Sequence, residues 1–328
     1  MTRPSVLVLA SDVLFPHFFS ERDQNRLTEI TDWTRSSIRE DSPELREQIA
    51  NADVLMTTWH SPFLTTEMFG AHPRVKLIAH CGGEVKSRVA EAMFDHVTVT
   101  NAADPMARGV AEMALALVLT LVRRIPEYAA EMRNGVSRTN EQVNEGEMLS
   151  GRRVGIVGFG RIGRAVARLI KPFGVELLVS DPYAQAEDGV TLVDLDQLVR
   201  SCSVVILSAA LTPETRHLFD ARRLSLLADG TFLINVARGG LIDTEALLAE
   251  LRTGRITAAL DVTDPLEPLP SDHELRKLTN LILTPHIAAG GIEVRREMGA
   301  LAVEEVIRFA TGKPPRNRVT REMLATMT

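Results

Sequence analysis

The chain of 328 residues lacks most of the features that would assign it quickly to a class. It contains only two cysteines, Cys81 and Cys202. That excludes a disulfide framework and fits a reducing compartment such as the cytoplasm. It has no excess of basic charge: Lys and Arg number 37 against 43 Asp and Glu, for a net charge of −6. Neither nucleic acid nor an anionic membrane is therefore an expected partner. It also lacks a hydrophobic run of about 20 residues, the length that spans a membrane. The longest apolar stretch, 111–122, stops at Arg123-Arg124 and reads as a buried helix. Being apolar nearly all round, that helix is either covered by a second subunit or lies deep in a core. The first apolar run, 6–10, is followed at once by Ser11 and Asp12 and reads as a strand, not a signal peptide. No internal repeat or low-complexity tract stands out.

What remains is a soluble globular composition, 45% hydrophobic and 24% charged, on a chain long enough for two domains. From residue 151 onward, short β-branched runs alternate with helical patterns. Strands are expected at 154–157, 175–180, 203–208, 231–235, 256–260 and 281–284, with amphipathic helices between them at 162–173 and 244–252. Gly174 suits a helix stop and Asp243 an N-cap. Six strands separated by helices imply a doubly wound parallel sheet, because parallel neighbours need crossover connections. The N-terminal third repeats the alternation, with strands at 5–9, 54–57, 77–80 and 97–100 and a helix at 43–50, as in a second, smaller α/β domain. The polar, aperiodic stretch 134–150 reads as a loop.

A glycine motif, Gly158-Phe159-Gly160-Arg161-Ile162-Gly163, directly follows the strand at 154–157 and opens a helix. Alone, such a motif is weak; in this context it predicts a dinucleotide site. Gly158 would make the tight turn, Gly160 would admit the pyrophosphate, and Gly163 would let the helix pack on the sheet. The phosphates would meet free N–H groups at a helix N-terminus. Asp181 ends the next strand, where a carboxylate can accept bonds from both ribose hydroxyls and repels a 2′-phosphate, so NAD is expected over NADP. Arg161 either flanks the pyrophosphate or is a solvated helix residue.

Three polar residues follow three later strands: Arg238 after the fourth, Glu267 in the loop after the fifth, and His286 after the sixth. In the strand order 3-2-1-4-5-6 these strands are neighbours, and their loops leave the sheet beside the dinucleotide. An Arg can hold a carboxylate or polarise a carbonyl. A His can protonate a carbonyl oxygen or remove a hydroxyl proton, and a Glu can orient and charge that His. Each residue alone is as well explained by a strand end, a helix flank or a solvated loop. Together on one edge they suggest catalysis.

At this point the sequence resembles the D-isomer-specific 2-hydroxyacid dehydrogenases. The resemblance rests on Val154-Gly155-Ile156-Val157 and the glycine motif, Asp181-Pro182, Leu211-Thr212-Pro213-Glu214-Thr215-Arg216, residues 235–243, and Thr284-Pro285-His286-Ile287-Ala288. It implies a Rossmann cofactor domain at 104–292 and a flavodoxin-like substrate domain assembled from 1–103 and 293–328. It also implies a homodimer formed through the cofactor domain, which would cover 111–122. Carried over by position, the resemblance makes Arg238 substrate-binding, His286 the acid/base and Glu267 its partner. Asp261 would meet the nicotinamide carboxamide, and Ala209, Val236 and Ala237 would line the cofactor. The substrate carboxylate would be held by backbone N–H groups at Gly83 and Glu84.

Two departures from the family pattern stand out. Leu266 reads as an inserted residue, which makes Asp264 a competitor for the role of Glu267. Glu84 stands where a small residue is usual, so its carboxylate must turn away, pair with a cation or alter specificity. Trp59 and His60 face the substrate or serve as scaffold. The expected activity is reversible reduction of a 2-keto acid by NADH to the D-2-hydroxy acid. The alternatives are an NAD(H)-sensing binding protein of the corepressor type on the same fold, and an NAD-dependent enzyme of different chemistry.

Overall fold

A computed structural model of the chain describes residues 3–70, 73–136 and 145–327; part of the 134–150 loop therefore lies outside the described residues. In chain order the strands are β1 Ser5–Leu9, β2 Asp32–Ser36, β3 Val54–Thr57, β4 Leu77–His80, β5 Thr98–Thr100, β6 Arg153–Val157, β7 Glu176–Ser180, β8 Thr191–Leu192, β9 Val204–Leu207, β10 Phe232–Asn235, β11 Thr257–Leu260, β12 Leu281–Leu283 and β13 Arg318–Val319. The α-helices are α1 Phe15–Phe18, α2 Glu21–Ile30, α3 Pro43–Ala50, α4 Ala103–Val122, α5 Ile125–Arg133, α6 Arg161–Ile170, α7 Leu195–Ser201, α8 Ala221–Leu226, α9 Thr244–Arg252 and α10 Ile292–Ala310. The chain divides into two compact units, Met1–Met106 with Ala289–Thr328, and Ala107–Ala288.

The first unit holds a six-stranded sheet of order β13-β5-β4-β3-β1-β2, the flavodoxin-like order, parallel except for β13. Its central strands are buried on both faces and split their side chains by the two-residue period of a strand. Leu7, Leu9, Leu55 and Ile78 join Leu45 and Ile49 of α3 in one core. Val6, Val8, Val54, Met56, Leu77 and Ala79 join Phe18, Leu27, Met298, Ala302 and Val306 from α1, α2 and α10 in the other.

The second unit holds a seven-stranded parallel sheet of order β12-β11-β10-β9-β6-β7-β8. Six strands were expected. The missing one, β8, has two residues, both exposed, and pairs only with β7 at the edge, so it carries no apolar pattern. Its presence makes β9 the fourth strand, seated beside β6. β10, β11 and β12 remain neighbours. β2 escaped the sequence reading for the same reason: Asp-Trp-Thr-Arg-Ser is a largely exposed edge strand. The helix expected at 162–173 is α6 followed by a 3₁₀ turn over Lys171–Phe173, which stops at Gly174 with φ 72°. Asp243 caps α9 by accepting from the Ala246 N–H.

The apolar stretch 111–122 is part of a longer helix than its length implied. α4 has 20 residues, and by length and composition alone it could cross a membrane. Its burial is that of a core helix on one side: Ala107, Val110, Ala111, Ala114, Leu117, Val118, Leu121 and Val122 are all buried at helical spacing.

α10 packs on α1 so tightly that a Cβ at Gly299 would lie 1.9 Å from the Phe18 carbonyl oxygen. In an open helix, Gly to Ala stabilises by about 1 kcal/mol. Here the overlap is with backbone, so Gly299→Ala should cost about 1–3 kcal/mol and lower the thermal midpoint. A midpoint at or above that of the parent would show that the two helices separate freely.

Candidate active site

β6 ends at Val157, and the glycine turn that follows is shaped by contacts that exclude side chains. Gly158 has φ 87°, and a Cβ on it would lie 2.4 Å from the Ala209 Cα, at the end of β9. A Cβ on Gly163 would lie 2.2 Å from the Gly158 oxygen. At Gly160, by contrast, a Cβ would meet nothing within 4 Å, and α6 begins there with no side-chain cap. The turn therefore presents an open cradle beside uncapped helix N–H groups, which fits a dinucleotide pyrophosphate. Arg161 is the first residue of α6 and is exposed; Ile162 follows, half-buried. Val236 and Ala237 lie buried at the end of β10. Asp181 follows β7 and accepts from the Phe159 N–H at 2.6 Å and the Tyr183 N–H at 2.8 Å. It thus braces the glycine turn, and each oxygen keeps capacity for a ribose hydroxyl.

The loops after β10, β11 and β12 carry the polar residues. Asn235 organises the first: its Oδ1 accepts from the Ala237 N–H and its Nδ2 donates to the Arg238 carbonyl, at 3.0 and 2.9 Å. Arg238 itself donates to the Ala237 carbonyl at 2.8 Å. His286 sits at φ 52°, a left-handed conformation that few non-glycine residues adopt. Asp261, 1% exposed, holds it there. The Asp261 carboxylate accepts from Thr284 Oγ1 at 2.6 Å, the Ile287 N–H at 3.0 Å and the Ala288 N–H at 2.9 Å. The Asp261 carbonyl accepts from the His286 N–H at 2.9 Å. His286 Nδ1 then meets Glu267 Oε2 at 3.0 Å, while the Thr263 N–H donates to Glu267 Oε1 at 3.2 Å. Asp264 pairs instead with Arg216 Nη2 at 3.2 Å. Glu267, and not Asp264, thus stands against the imidazole.

In the first unit, the loop after β4 is tied back by its carbonyls. The Ala102 N–H donates to the Gly82 oxygen at 2.8 Å, and Asn101 Nδ2 to the Gly83 oxygen at 2.6 Å. In a trans peptide the N–H points opposite to the carbonyl. The Gly83 and Glu84 N–H groups are therefore turned away from residues 101–102, and neither has an acceptor among the described residues. The Glu84 side chain accepts from the Ser87 N–H and Oγ, both at 2.6 Å, so its charge is engaged within its own turn.

Trp59 is half-buried and His60 exposed. Arg295 lies over the Trp59 ring at 5.2 Å and meets His17 Nδ1 at 3.2 Å. Nothing in the sequence pattern marked Arg295, Asn101, Asn235 or the clamping role of Asp261. Each acts through a partner distant in the chain or through a loop conformation.

A doubly wound parallel sheet with this glycine turn and a terminal Asp on its second strand defines an NAD-dependent dehydrogenase of the Rossmann class. Comparison with known proteins narrows the class. Residues 115–288 match the family described as D-isomer specific 2-hydroxyacid dehydrogenase, NAD binding domain. A glyoxylate reductase of Thermococcus onnurineus is 36% identical over 85% of this chain and 86% of its own. A hydroxypyruvate reductase of Thermotoga maritima is 34% identical over 81% and 87%. A crystal structure of a protein from Thermus thermophilus superposes with a TM-score of 0.80 at 32% identity, covering 96% of this chain and all of the other. The chain belongs to the D-isomer specific 2-hydroxyacid dehydrogenase family. It is an NAD-linked oxidoreductase of small 2-keto and 2-hydroxy acids.

His80, immediately before the Gly82–Gly83 loop, is fully buried with Nδ1 2.8 Å from Thr57 Oγ1. Burial pushes its pKa down from 6.5 to about 3, with the Arg88 charge adding to the shift. The folded state therefore holds this imidazole neutral where the unfolded chain would protonate it. Stability is complete above pH 6.5 and declines between pH 6.5 and about 3 by about 1.4 kcal/mol per pH unit from this group. Denaturant unfolding of His80→Gln should show a shallower loss between pH 6.5 and 4.5 than the parent; identical slopes would exclude a buried neutral His80.

Proposed function

We propose that the protein reduces a small 2-keto acid of the glyoxylate or hydroxypyruvate kind to the corresponding D-2-hydroxy acid, and catalyses the reverse oxidation. The observation that carries this reading is the His286–Glu267 contact at 3.0 Å, built on the sheet edge that also bears the glycine turn. Glu267 takes the Nδ1 side of the imidazole and leaves Nε2 to face the substrate oxygen. His286 delivers its proton to that oxygen during reduction and removes it during oxidation. Arg238 supplies paired donors to the 2-keto acid.

The Gly83 and Glu84 N–H groups hold the substrate carboxylate; their lack of acceptors and the withdrawal of the Glu84 charge to Ser87 support that role. Gly158, Gly160, Arg161, Ile162 and Gly163 receive the NAD pyrophosphate, and Asp181 its adenosine ribose. Ala209, Val236, Ala237 and Asp261 line the nicotinamide half, Asp261 doing so while its carboxylate clamps the His286 turn. Bound NADH supplies the hydride to the carbonyl carbon. The unit 1–106 with 289–328 serves as substrate domain, and 107–288 as cofactor domain.

We also infer a homodimer through the cofactor domain. Met113, Leu115 and Leu119 on α4 are only partly buried. Ile125, Met132 and Met148 are more than half exposed, an apolar surface that a second copy would cover. Both cysteines are buried free thiols, and burial raises the Cys202 pKa to about 11, in keeping with a cytoplasmic protein.

His286→Ala should lower kcat for glyoxylate reduction by about 10²–10⁴-fold while NADH affinity, read by fluorescence titration, stays within a few fold. Unchanged turnover would remove His286 from the reaction. Asp181→Ala should raise the ratio of kcat/KM with NADPH to that with NADH; an unaltered ratio would exclude the ribose contact. If no small 2-keto acid is turned over while NADH binds normally, the substrate assignment fails.

A further inference from the structure

The first unit contains a cavity of about 380 Å³ at the amino-terminal end of β4 and β5. The Gly83–Glu84 loop leaves the opposite, carboxyl end of β4, about 13 Å away along a four-residue strand. The cavity is thus distinct from the loop assigned to the substrate. Four basic side chains line it: Lys76 before β4, His96 before β5, Lys313 after α10, and Arg318 on β13. Among the described residues, none of Lys76, Lys313 and Arg318 has a carboxylate within 4.0 Å, and the Lys76 ammonium donates to the Pro73 carbonyl.

The negative groups nearby have other partners, although Glu322, whose carboxyl is bonded by Thr320, also feels the charges of Arg321 and Arg318. Asp95 pairs with Arg321 at 2.8 Å. Glu305, 2% exposed, accepts from the Arg316 N–H, the Asn317 N–H and Asn317 Nδ2. That carboxylate fixes the 316–317 segment between Lys313 and Arg318. The carbonyls ending α10 are also satisfied: Ile307, Arg308 and Phe309 accept from the N–H groups of Thr311, Lys313 and Gly312. The rings of Phe94 and Phe309 add apolar wall. A concave site with basic side chains that lack a direct carboxylate partner, hydrogen-bonded carboxylates and apolar walls stands out on a chain of net charge −6.

We propose that this cavity binds a small polyanionic organic acid, a di- or tricarboxylate or a phosphorylated carboxylic acid. The cations take its charged groups, and the two phenyl rings take its carbon skeleton. Such a ligand would load the end of α10 and the β13 segment, leaving the catalytic edge free.

Isothermal titration of the NADH-saturated enzyme with citrate tests the site. The expected result is one citrate per chain, bound at least tenfold more weakly by Lys313→Gln/Arg318→Gln and equally well by Arg238→Gln. Turnover of the double variant without citrate should match the parent, which shows that it is folded, and inorganic phosphate should bind more weakly than citrate. Citrate binding that is absent, or that survives the double substitution, overturns the proposal. So does binding lost in Arg238→Gln, since that places the anion at the catalytic edge.

Discussion

The buried carboxylate of Asp261 ties together the ends of two adjacent strands. It stands at the end of β11 yet accepts three hydrogen bonds from the turn after β12, where Thr284, Ile287 and Ala288 surround His286. A buried carboxylate is tolerated only when such bonds replace its lost hydration. In return it holds His286 at a positive φ that would otherwise be unfavourable. With the imidazole placed in this way, the loop after β11 need only bring Glu267 to Nδ1. The proposed acid/base pair thus depends on a residue that never needs to touch the substrate.

A similar double use appears at the cofactor turn. Gly158 and Gly163 remove side chains where backbone meets backbone, at Ala209 and at the Gly158 carbonyl, and Gly160 leaves space open. Asp181 then braces the turn from β7 through the Phe159 N–H. The residue proposed to recognise the ribose is in this way also a support for the glycine turn. Changes to it act on selectivity and on turn geometry together.

The first unit uses the carbonyls of its β4 loop as anchors and leaves the Gly83 and Glu84 N–H groups turned away from them, which supports the proposed carboxylate site. That arrangement tolerates Glu84, because the side chain is free to fold back on Ser87. At the other end of the same strand, Lys76, His96, Lys313 and Arg318 line a cavity.

Much of this was legible in the sequence. The glycine turn, Asp181, and the strand-end positions of Arg238, Glu267 and His286 are local patterns: residue types required by a turn or a strand end, at spacings that a parallel sheet imposes. The central strands were legible because burial on both faces makes them continuously apolar. The edge strands β2 and β8 were not, because an exposed edge needs no such pattern. By itself the sequence determined the class of fold, the cofactor and the kind of reaction. Only the tertiary structure decided that Glu267 and not Asp264 meets His286, that Asp261 clamps the turn, and that the Gly83 and Glu84 N–H groups face outward. Those outcomes depend on which groups distant in the chain come within hydrogen-bond reach, a quantity fixed by packing and invisible to spacing.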